Sequence, residues 1–169
     1  FERQSPRYDL VSGDSIWVAE FADKGWVDEL DRNAFDTGSA FSGTVDGLVY
    51  KRGLYGVPWL AGVGSFYYRS DLIATPPTTW EEMVAACVQH PELACYDGPF
   101  KPYEGLSVHV EESIYSAGGQ IIDDNGQVVI NSPESLSALE FLNENVTSGR
   151  TPGRFLLHDE GTSLEEFRQ

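Results

Sequence analysis

The chain has 169 residues, with 11 Lys or Arg against 27 Asp or Glu and a net charge of −16. That balance argues against nucleic acid or an anionic membrane as partner, since both need a positive footprint. Apolar residues at 41% and aromatics at 12%, with 17 Gly and 9 Pro, describe a chain able to fill a sizeable core and neither disordered nor collagen-like; no stretch approaches the ~20 apolar residues of a membrane-spanning helix.

The opening residues, Phe1 to Arg7, lack the apolar segment and small-residue cleavage site of an export signal, and there is no initiating Met. The chain therefore reads as a piece of something longer. Tyr8, Asp9, Leu10 and Val11 form a predicted short strand, followed by the turn-like Ser12-Gly13-Asp14-Ser15. Residues 16–24 are a predicted helix, with Ile16, Trp17, Glu20 and Phe21 at helical spacing, Asp14 or Ser15 as N-cap and Gly25 as stop. Residues 26–30 return apolar side chains to the core. A polar stretch over 31–42 then leads to a short helix near 43–49.

Two β-rich segments, 54–59 and 66–69, flank the joint Ala61-Gly62-Val63-Gly64. Pro58 argues that the first is not a central strand, whereas Phe66-Tyr67-Tyr68-Arg69 reads as a buried one. Thr79-Trp80-Glu81-Glu82 is a capping-box pattern. The helix it opens places Trp80, Val84, Cys87 and Val88 on one face, and Pro91 ends it. Cys95 lies in the next segment. No Cys/His pattern for zinc surrounds the two cysteines. Either they pair across a short loop of an exported protein, or they are two small buried hydrophobes.

A longer helix is predicted over 106–117, stopped by Gly118-Gly119. Asp124-Asn125-Gly126 is a hairpin turn, and 127–130 is the returning strand. Ser132 as N-cap and Pro133 in the first turn open the clearest helix, with Leu136, Leu139, Leu142 and Val146 as its buried stripe and Gly149 as its end. Thr162 or Ser163 begins a last helical pattern. Strands interleaved with helices make the class α/β.

The chemistry-bearing patterns are sparse. His90, His109 and His158 lie far apart and form no helical two-His motif, so neither a metal nor a cofactor is expected. There is no nucleophile elbow and no phosphate-binding glycine loop. Asp123 to Gly126 lacks the alternating ligands and terminal Glu of a calcium loop, which favours a turn. Glu111 and Glu112, with Asp14, are the candidates for glycoside hydrolysis, but adjacent helical residues diverge by ~100° and a solvated acidic face is the plainer reading. The aromatics say more. Trp17 near Asp14, Trp59 beside the Gly-rich joint, and Tyr115 near Glu111 each join a flat apolar wall to a junction or a carboxylate. A sugar ring, with apolar C–H faces and a rim of hydroxyls, is recognised by that combination. For each aromatic alone, core packing is at least as common a role.

These residues resemble the family 1 extracellular solute-binding proteins. The resemblance rests on Tyr8-Asp9-Leu10-Val11 with Asp14, Trp17 and Glu20-Phe21-Ala22, then Gly25-Trp26-Val27-Asp28-Glu29-Leu30-Asp31 and Tyr55-Gly56-Val57-Pro58-Trp59. It continues through Tyr67-Tyr68-Arg69-Ser70-Asp71-Leu72, Thr79-Trp80-Glu81-Glu82-Met83, Gly118-Gly119 and Asn131-Ser132-Pro133. The order and spacing are most similar to trehalose/maltose-type binding proteins of ABC sugar importers. The resemblance implies a type II periplasmic-binding-protein-like α/β fold of two lobes, with 1–61 a partial first lobe and 62–169 a second lobe truncated at its C-terminal end. It makes Asp14 and Trp17 first-lobe ligand contacts, Trp59 a cleft residue near the first crossover and Tyr115 a stacking platform in the second lobe, with Glu111 the further ligand-binding candidate that compensates for the acid missing at Gly62. Tyr115 stands where relatives commonly carry Trp, and Gly62 where they often carry an acidic residue that grips sugar hydroxyls; loss of such a group typically removes ~1.5–3 kcal/mol.

The implied function is capture of a disaccharide or short oligosaccharide, delivered to ABC permease subunits by an exported protein, periplasmic or lipid-anchored at the cell surface. The alternatives are a glycoside-acting enzyme and a non-transporting receptor lobe. A lobe lacking strands exposes apolar faces and unpaired edges, so self-association of the chain is also expected.

Overall fold

Local capping and turn chemistry bound most of the helices of this chain, through side-chain caps at Thr79, Ser132 and Asp159 and positive-φ glycines at helix ends. The computed structural model describes residues 8–169, which divide by contact into a unit ending at Val63 and a unit running from Gly64 to Gln169.

In the first unit, a 3-10 turn at Ser15–Trp17 runs into α1 (Val18–Asp23), and Gly25 leaves it in the left-handed region at φ +66°. A second 3-10 turn, Arg32–Ala34, is capped by the Asp31 carboxylate, which accepts from the Asn33 amide at 2.9 Å. Helix α2 (Ser42–Asp46) is shorter than its sequence suggests, because the residues that follow enter a hairpin. Strands β1 (Val49–Tyr50) and β2 (Gly53–Leu54) pair antiparallel, Val49 opposite Leu54 and Tyr50 opposite Gly53. Leu54, fully buried, also bridges to Leu30. The two turn residues, Lys51 at φ +45° and Arg52 at φ +75°, sit where non-glycine residues cost roughly 1–2 kcal/mol each.

Two expected strands do not form among the described residues. Tyr8, Asp9, Leu10 and Val11 are exposed and make no ladder there, and Phe66-Tyr67-Tyr68-Arg69 is likewise without a strand partner, with Phe66 and Tyr67 open to solvent. β-Branched and aromatic residues favour a strand only where a neighbouring strand supplies hydrogen bonds. Here Tyr67 instead packs on Phe167 with ring centroids 6.4 Å apart, and Arg69 pairs with Asp71 at 2.6 Å.

The second unit is helical. Helix α3 (Trp80–Val88) carries the expected cap: Thr79 Oγ1 accepts from the Glu82 amide at 3.2 Å. The Glu82 carboxylate reaches back one residue further than a simple box, to the Thr78 amide at 2.7 Å and hydroxyl at 2.8 Å, and these donors hold it below the usual carboxylate range. Met83, Tyr96, Phe100 and Leu142 make the core, with Trp80, Val84 and Cys87 packed against it. Val88 falls off this face and is exposed, because Met83 takes the central position of the stripe. A disulfide joins Cys87 to Cys95, with Cα atoms 5.3 Å apart. By the chain-entropy relation a loop of this length stabilises by about 2–3 kcal/mol.

Helices α4 (Glu104–Ser116) and α5 (Pro133–Thr147) pack closely. Gly118, at φ +84°, ends the first. Gly119 then lies so near α5 that a Cβ there would come 2.7 Å from Ser135 Oγ and 2.9 Å from Ile114 Cγ2. Near this approach the buried face of α5 excludes two of the three leucines of the expected stripe. Ser135, Ala138, Leu142 and Asn145 are buried, while Leu136 and Leu139 of the expected stripe are exposed. Small side chains permit a separation that leucines would prevent. The expected strand over 127–130 reduces to a bridge between Ile122 and Val128 around the turn at Gly126.

The last helix, α6 (Glu160–Arg168), starts earlier than Thr162 because Asp159 is its N-cap. The Asp159 carboxylate accepts from the Thr162 hydroxyl at 2.8 Å and amide at 3.0 Å, and from Lys101 Nζ at 3.2 Å. The Thr162 bonds chiefly, then Lys101, lower its pKa to about 2. The folded value is depressed below the ordinary ~3.9, so this contribution to stability is complete above roughly pH 4 and is lost as the pH falls through the folded value. Asp159→Asn is expected to flatten that limb of the acid-unfolding curve, measured by circular dichroism; an unaltered curve would show that the cap is not linked to proton uptake.

Between α3 and α6 the chain closes a clasp. The Cys95 amide donates to the Arg150 carbonyl (2.9 Å), Thr151 Oγ1 to the Tyr96 carbonyl (2.8 Å), the Lys101 amide to the His158 carbonyl (2.9 Å) and Ser163 Oγ to the Gly98 carbonyl (3.1 Å). His158 Nδ1 lies 2.9 Å from Asp97 Oδ2, with Phe155 against the imidazole at 4.6 Å between centroids.

Candidate functional site

The expected contact residues fall into three places. In the first unit, Asp14 precedes the 3-10 turn in an extended conformation, and its carbonyl accepts from the Trp17 amide at 3.1 Å. Its carboxylate makes no capping bond. Trp17 begins a series of tilted aromatic contacts, with Phe21 at 6.1 Å and then Phe21 with Trp26 at 5.7 Å. Gly13 lies against the indole, where a Cβ would stand 3.3 Å from the ring, so part of the Trp17 surface is covered and 44% stays exposed. The end of α2 meets the same turn: a Cβ on Gly47 would lie 3.2 Å from Ser15 Cβ.

Trp59 occupies a different position. It lines a groove of about 290 Å³ with Phe41 and Thr44 at the start of α2, with Ser39 and Ala40 before it, and with Pro58, Leu60 and Ala61. Trp59 is 85% and Phe41 79% exposed. Pro58 keeps the segment carrying Trp59 out of a ladder, and Phe41 is placed by the helix start, where its carbonyl accepts from Thr44 Oγ1 at 2.7 Å. Two open aromatic rings bordered by the hydroxyl residues Ser39 and Thr44 form a surface suited to a ring with apolar faces and a polar rim. Asp14 and Trp17 are not among the residues lining this groove. Phe41, Ser39 and Thr44 stand in or next to a polar stretch with no periodicity, so the sequence does not mark them as site residues; an isolated Phe ahead of a helix start is the one signal they offer.

In the second unit, Glu111 and Tyr115 are four residues apart on α4 and share one exposed face, with Tyr115 54% exposed. Glu112 does something else. Its Oε1 accepts from the Gly64 amide at 3.0 Å, and a Cβ on Gly64 would collide with that carboxylate. The two glutamates are therefore directed to different tasks, one held on backbone and one free on a helix face. On the next turn inward His109 meets Tyr96, its Nε2 lying 2.9 Å from the phenol oxygen; burial pushes the imidazole below its ordinary value, which favours the neutral ring. Among the described residues no group of three His, Cys, Asp or Glu side chains is arranged to hold a metal ion, and no helix is long and apolar enough to cross a membrane.

Residues 2–169 match the family described as bacterial extracellular solute-binding protein. A probable ABC transporter-binding protein of Deinococcus radiodurans is 35% identical over 101 residues, a match covering 52% of this chain and 24% of that one. Among solved structures, maltose-bound MalE3 of T. maritima is 30% identical with a TM-score of 0.78, covering 92% of this chain and 42% of that one. An ABC transporter solute-binding protein of Agrobacterium radiobacter K84, in complex with ribitol, has a TM-score of 0.75 at 24% identity and covers 100% of this chain and 46% of that one. The chain thus spans less than half the length of each of these three proteins. Its fold is the α/β, type II periplasmic-binding-protein-like one, although among the described residues the sheet is a single two-stranded hairpin.

Proposed function

The chain belongs to the bacterial extracellular solute-binding proteins, and from that premise we propose that it captures a carbohydrate, a disaccharide or short oligosaccharide, for ABC-type import. The groove walled by Trp59 and Phe41 carries this reading, because paired open aromatics beside hydroxyl groups match the two faces of a sugar. Likeness to a maltose-bound protein at 30% identity supports the ligand class. In this reading 1–61 contributes to a first lobe and 62–169 to a second. Asp14, Trp17 and Trp59 serve as contacts from the one, Glu111 and Tyr115 from the other. The protein performs no covalent chemistry; closure around ligand is what permease subunits read, since only a difference in affinity between open and closed states shifts that equilibrium. It acts outside the cytoplasm, in the periplasm or lipid-anchored at the cell surface.

Calorimetric titration of the full-length protein with maltose, trehalose and related oligosaccharides tests the assignment. Heat with at least one of them is expected; no heat with any carbohydrate, together with binding of peptides or polyamines, would sink it. The glycoside-acting alternative, Glu111 or Glu112 with Asp14, is narrowed to Glu111, because Glu112 Oε1 accepts from the Gly64 amide; turnover of an aryl glycoside that disappears in Glu111→Gln would favour it. Self-association of the 169-residue chain is supported by exposed apolar residues such as Leu60 and Val63 in the first unit and Val128 and Leu157 in the second. Sedimentation velocity is expected to give a species larger than the monomer, and a strictly monomeric boundary at all concentrations counts against it.

A further inference from the structure

The tip of the β1–β2 hairpin is built against its own backbone preference. A two-residue connection between Tyr50 and Gly53 places both central residues at positive φ, where Asn-Gly is the favoured pair, and Lys51 and Arg52 occupy those positions. The glycine that would ease the turn stands one residue later. At Gly53 the need is steric, since a Cβ would come 2.7 Å from the Tyr55 ring. The two cations are exposed, so neither supports the interior.

They differ in what they do. Lys51 Nζ lies 2.8 Å from Asp23 Oδ1, an oxygen that also accepts from the Tyr50 hydroxyl at 2.8 Å, and it sits 4.7 Å from the centroid of the Tyr50 ring. These contacts fix the hairpin onto the end of α1. Arg52 gives only its carbonyl to the fold, accepting from Arg32 Nη2 at 3.2 Å, which brings a second guanidinium to the tip. Among the described residues the Arg52 guanidinium itself makes no ion pair or hydrogen bond. A free guanidinium is thus presented by a chain of net charge −16, on residues 1–63, which hold 10 of its 27 acidic and 6 of its 11 basic residues. Strained conformations of this kind cluster at functional sites.

We propose that Arg52, backed by Arg32 and Lys51, is a docking contact for a cluster of carboxylates on a partner protein, the extracytoplasmic face of the importer; this rests on the solute-capture reading above. The guanidinium fork binds carboxylates in a bidentate manner that an ammonium does not reproduce. A localised acidic patch fits better than an anionic membrane. Such a patch acts on the tip within a Debye length of ~8 Å, whereas an extended anionic surface is disfavoured by the net charge of −16. A contact of this size is transient and acts mainly on association rate and salt dependence.

The test uses the full-length, sugar-loaded protein and the cognate importer reconstituted in phosphatidylcholine nanodiscs. The double variant Lys51→Asn, Arg52→Gly installs the unstrained turn, so it is expected to melt a few degrees higher than wild type. Its carbohydrate affinity is expected to stay within about twofold, while importer affinity falls about tenfold at low salt and the difference closes at high salt. Arg52→Lys recovers part of the loss. Equal importer affinity of wild type and double variant overturns the proposal. So does hairpin-dependent binding of wild type to vesicles containing phosphatidylglycerol, which would assign the tip to lipid, and so does a sugar-binding wild type that fails to engage the importer. Hairpin-dependent importer binding without affinity for any carbohydrate upholds the docking contact and refutes the sugar reading alone.

Discussion

Phe155→Ala is expected to lower the unfolding free energy of the second unit by about 3–5 kcal/mol, the range for emptying a large buried aromatic site. Phe155 is 1% exposed and lies within the short 3-10 helix Gly153–Leu157, where its amide donates to the Pro152 carbonyl at 2.8 Å. One face meets the His158 imidazole, and Arg154 stands 4.6 Å from the ring centroid. His158 in turn holds Asp97 and, through its carbonyl, Lys101. A cavity at Phe155 therefore costs transfer free energy and slackens the clasp that docks α6. Urea unfolding with the m-value unchanged measures the loss, and Phe155→Leu, which retains most of the volume, is expected to lose far less. A loss below about 1 kcal/mol for the alanine variant would mean that the site collapses around the smaller side chain.

Trp59→Ala in the full-length protein is expected to weaken carbohydrate binding roughly 10- to 100-fold. Removing a ring that ligand would cover forfeits about 1.5–3 kcal/mol of apolar burial, and each 1.4 kcal/mol is a factor of ten. Trp59 is open to solvent and packs in no core cluster, so its loss is expected to leave the melting temperature near that of wild type. Calorimetry then separates a ligand contact from a structural one. Phe41→Ala, across the same groove, is expected to lose less because the ring is smaller. Unchanged affinity in both variants would remove the groove from the site and leave Asp14, Trp17, Glu111 and Tyr115 as the remaining candidates.

Elements whose signals are local were legible in the sequence. Thr79 with Glu82, and Ser132 with Pro133, announce α3 and α5 because a cap is made by residues three or four apart. Gly25, Gly118 and Gly149 mark helix ends for the same reason, each standing at positive φ. Elements that need a distant partner were not legible. Phe66 and Tyr67 have strand chemistry but no neighbouring strand among the described residues, and Tyr8-Asp9-Leu10-Val11 shares that condition. On α5 bulk is a poor sign of burial: Ser135 and Ala138 are buried, Ser135 where Gly119 comes close, while Leu136 and Leu139 are exposed. Asn145, fully buried, gives its amide to the Phe141 carbonyl at 3.0 Å and accepts from Arg150 Nε at 2.7 Å. Nothing in its sequence neighbourhood sets it apart from a solvated asparagine. In the candidate site, Trp59 and Tyr115 were visible as aromatics at junctions. The groove that includes Phe41 depends on how α2 and 58–61 meet, which no local pattern records.

The clasp has a consequence for the order of events during synthesis. Thr151 reaches Tyr96 across 55 residues and Ser163 reaches Gly98 across 65, so the carbonyls of the middle segment wait for partners made much later. Ribosomes add ~5–20 residues per second, and for several seconds the core around Tyr96 and Phe100 has no lid. The disulfide does not fill that interval, because thiols stay reduced in the cytoplasm and a member of an extracellular family oxidises only after export. There Cys87 and Cys95, eight residues apart, pair locally and hold α3 against its return segment while Arg150, Thr151 and Ser163 reach partners 55 to 65 residues away.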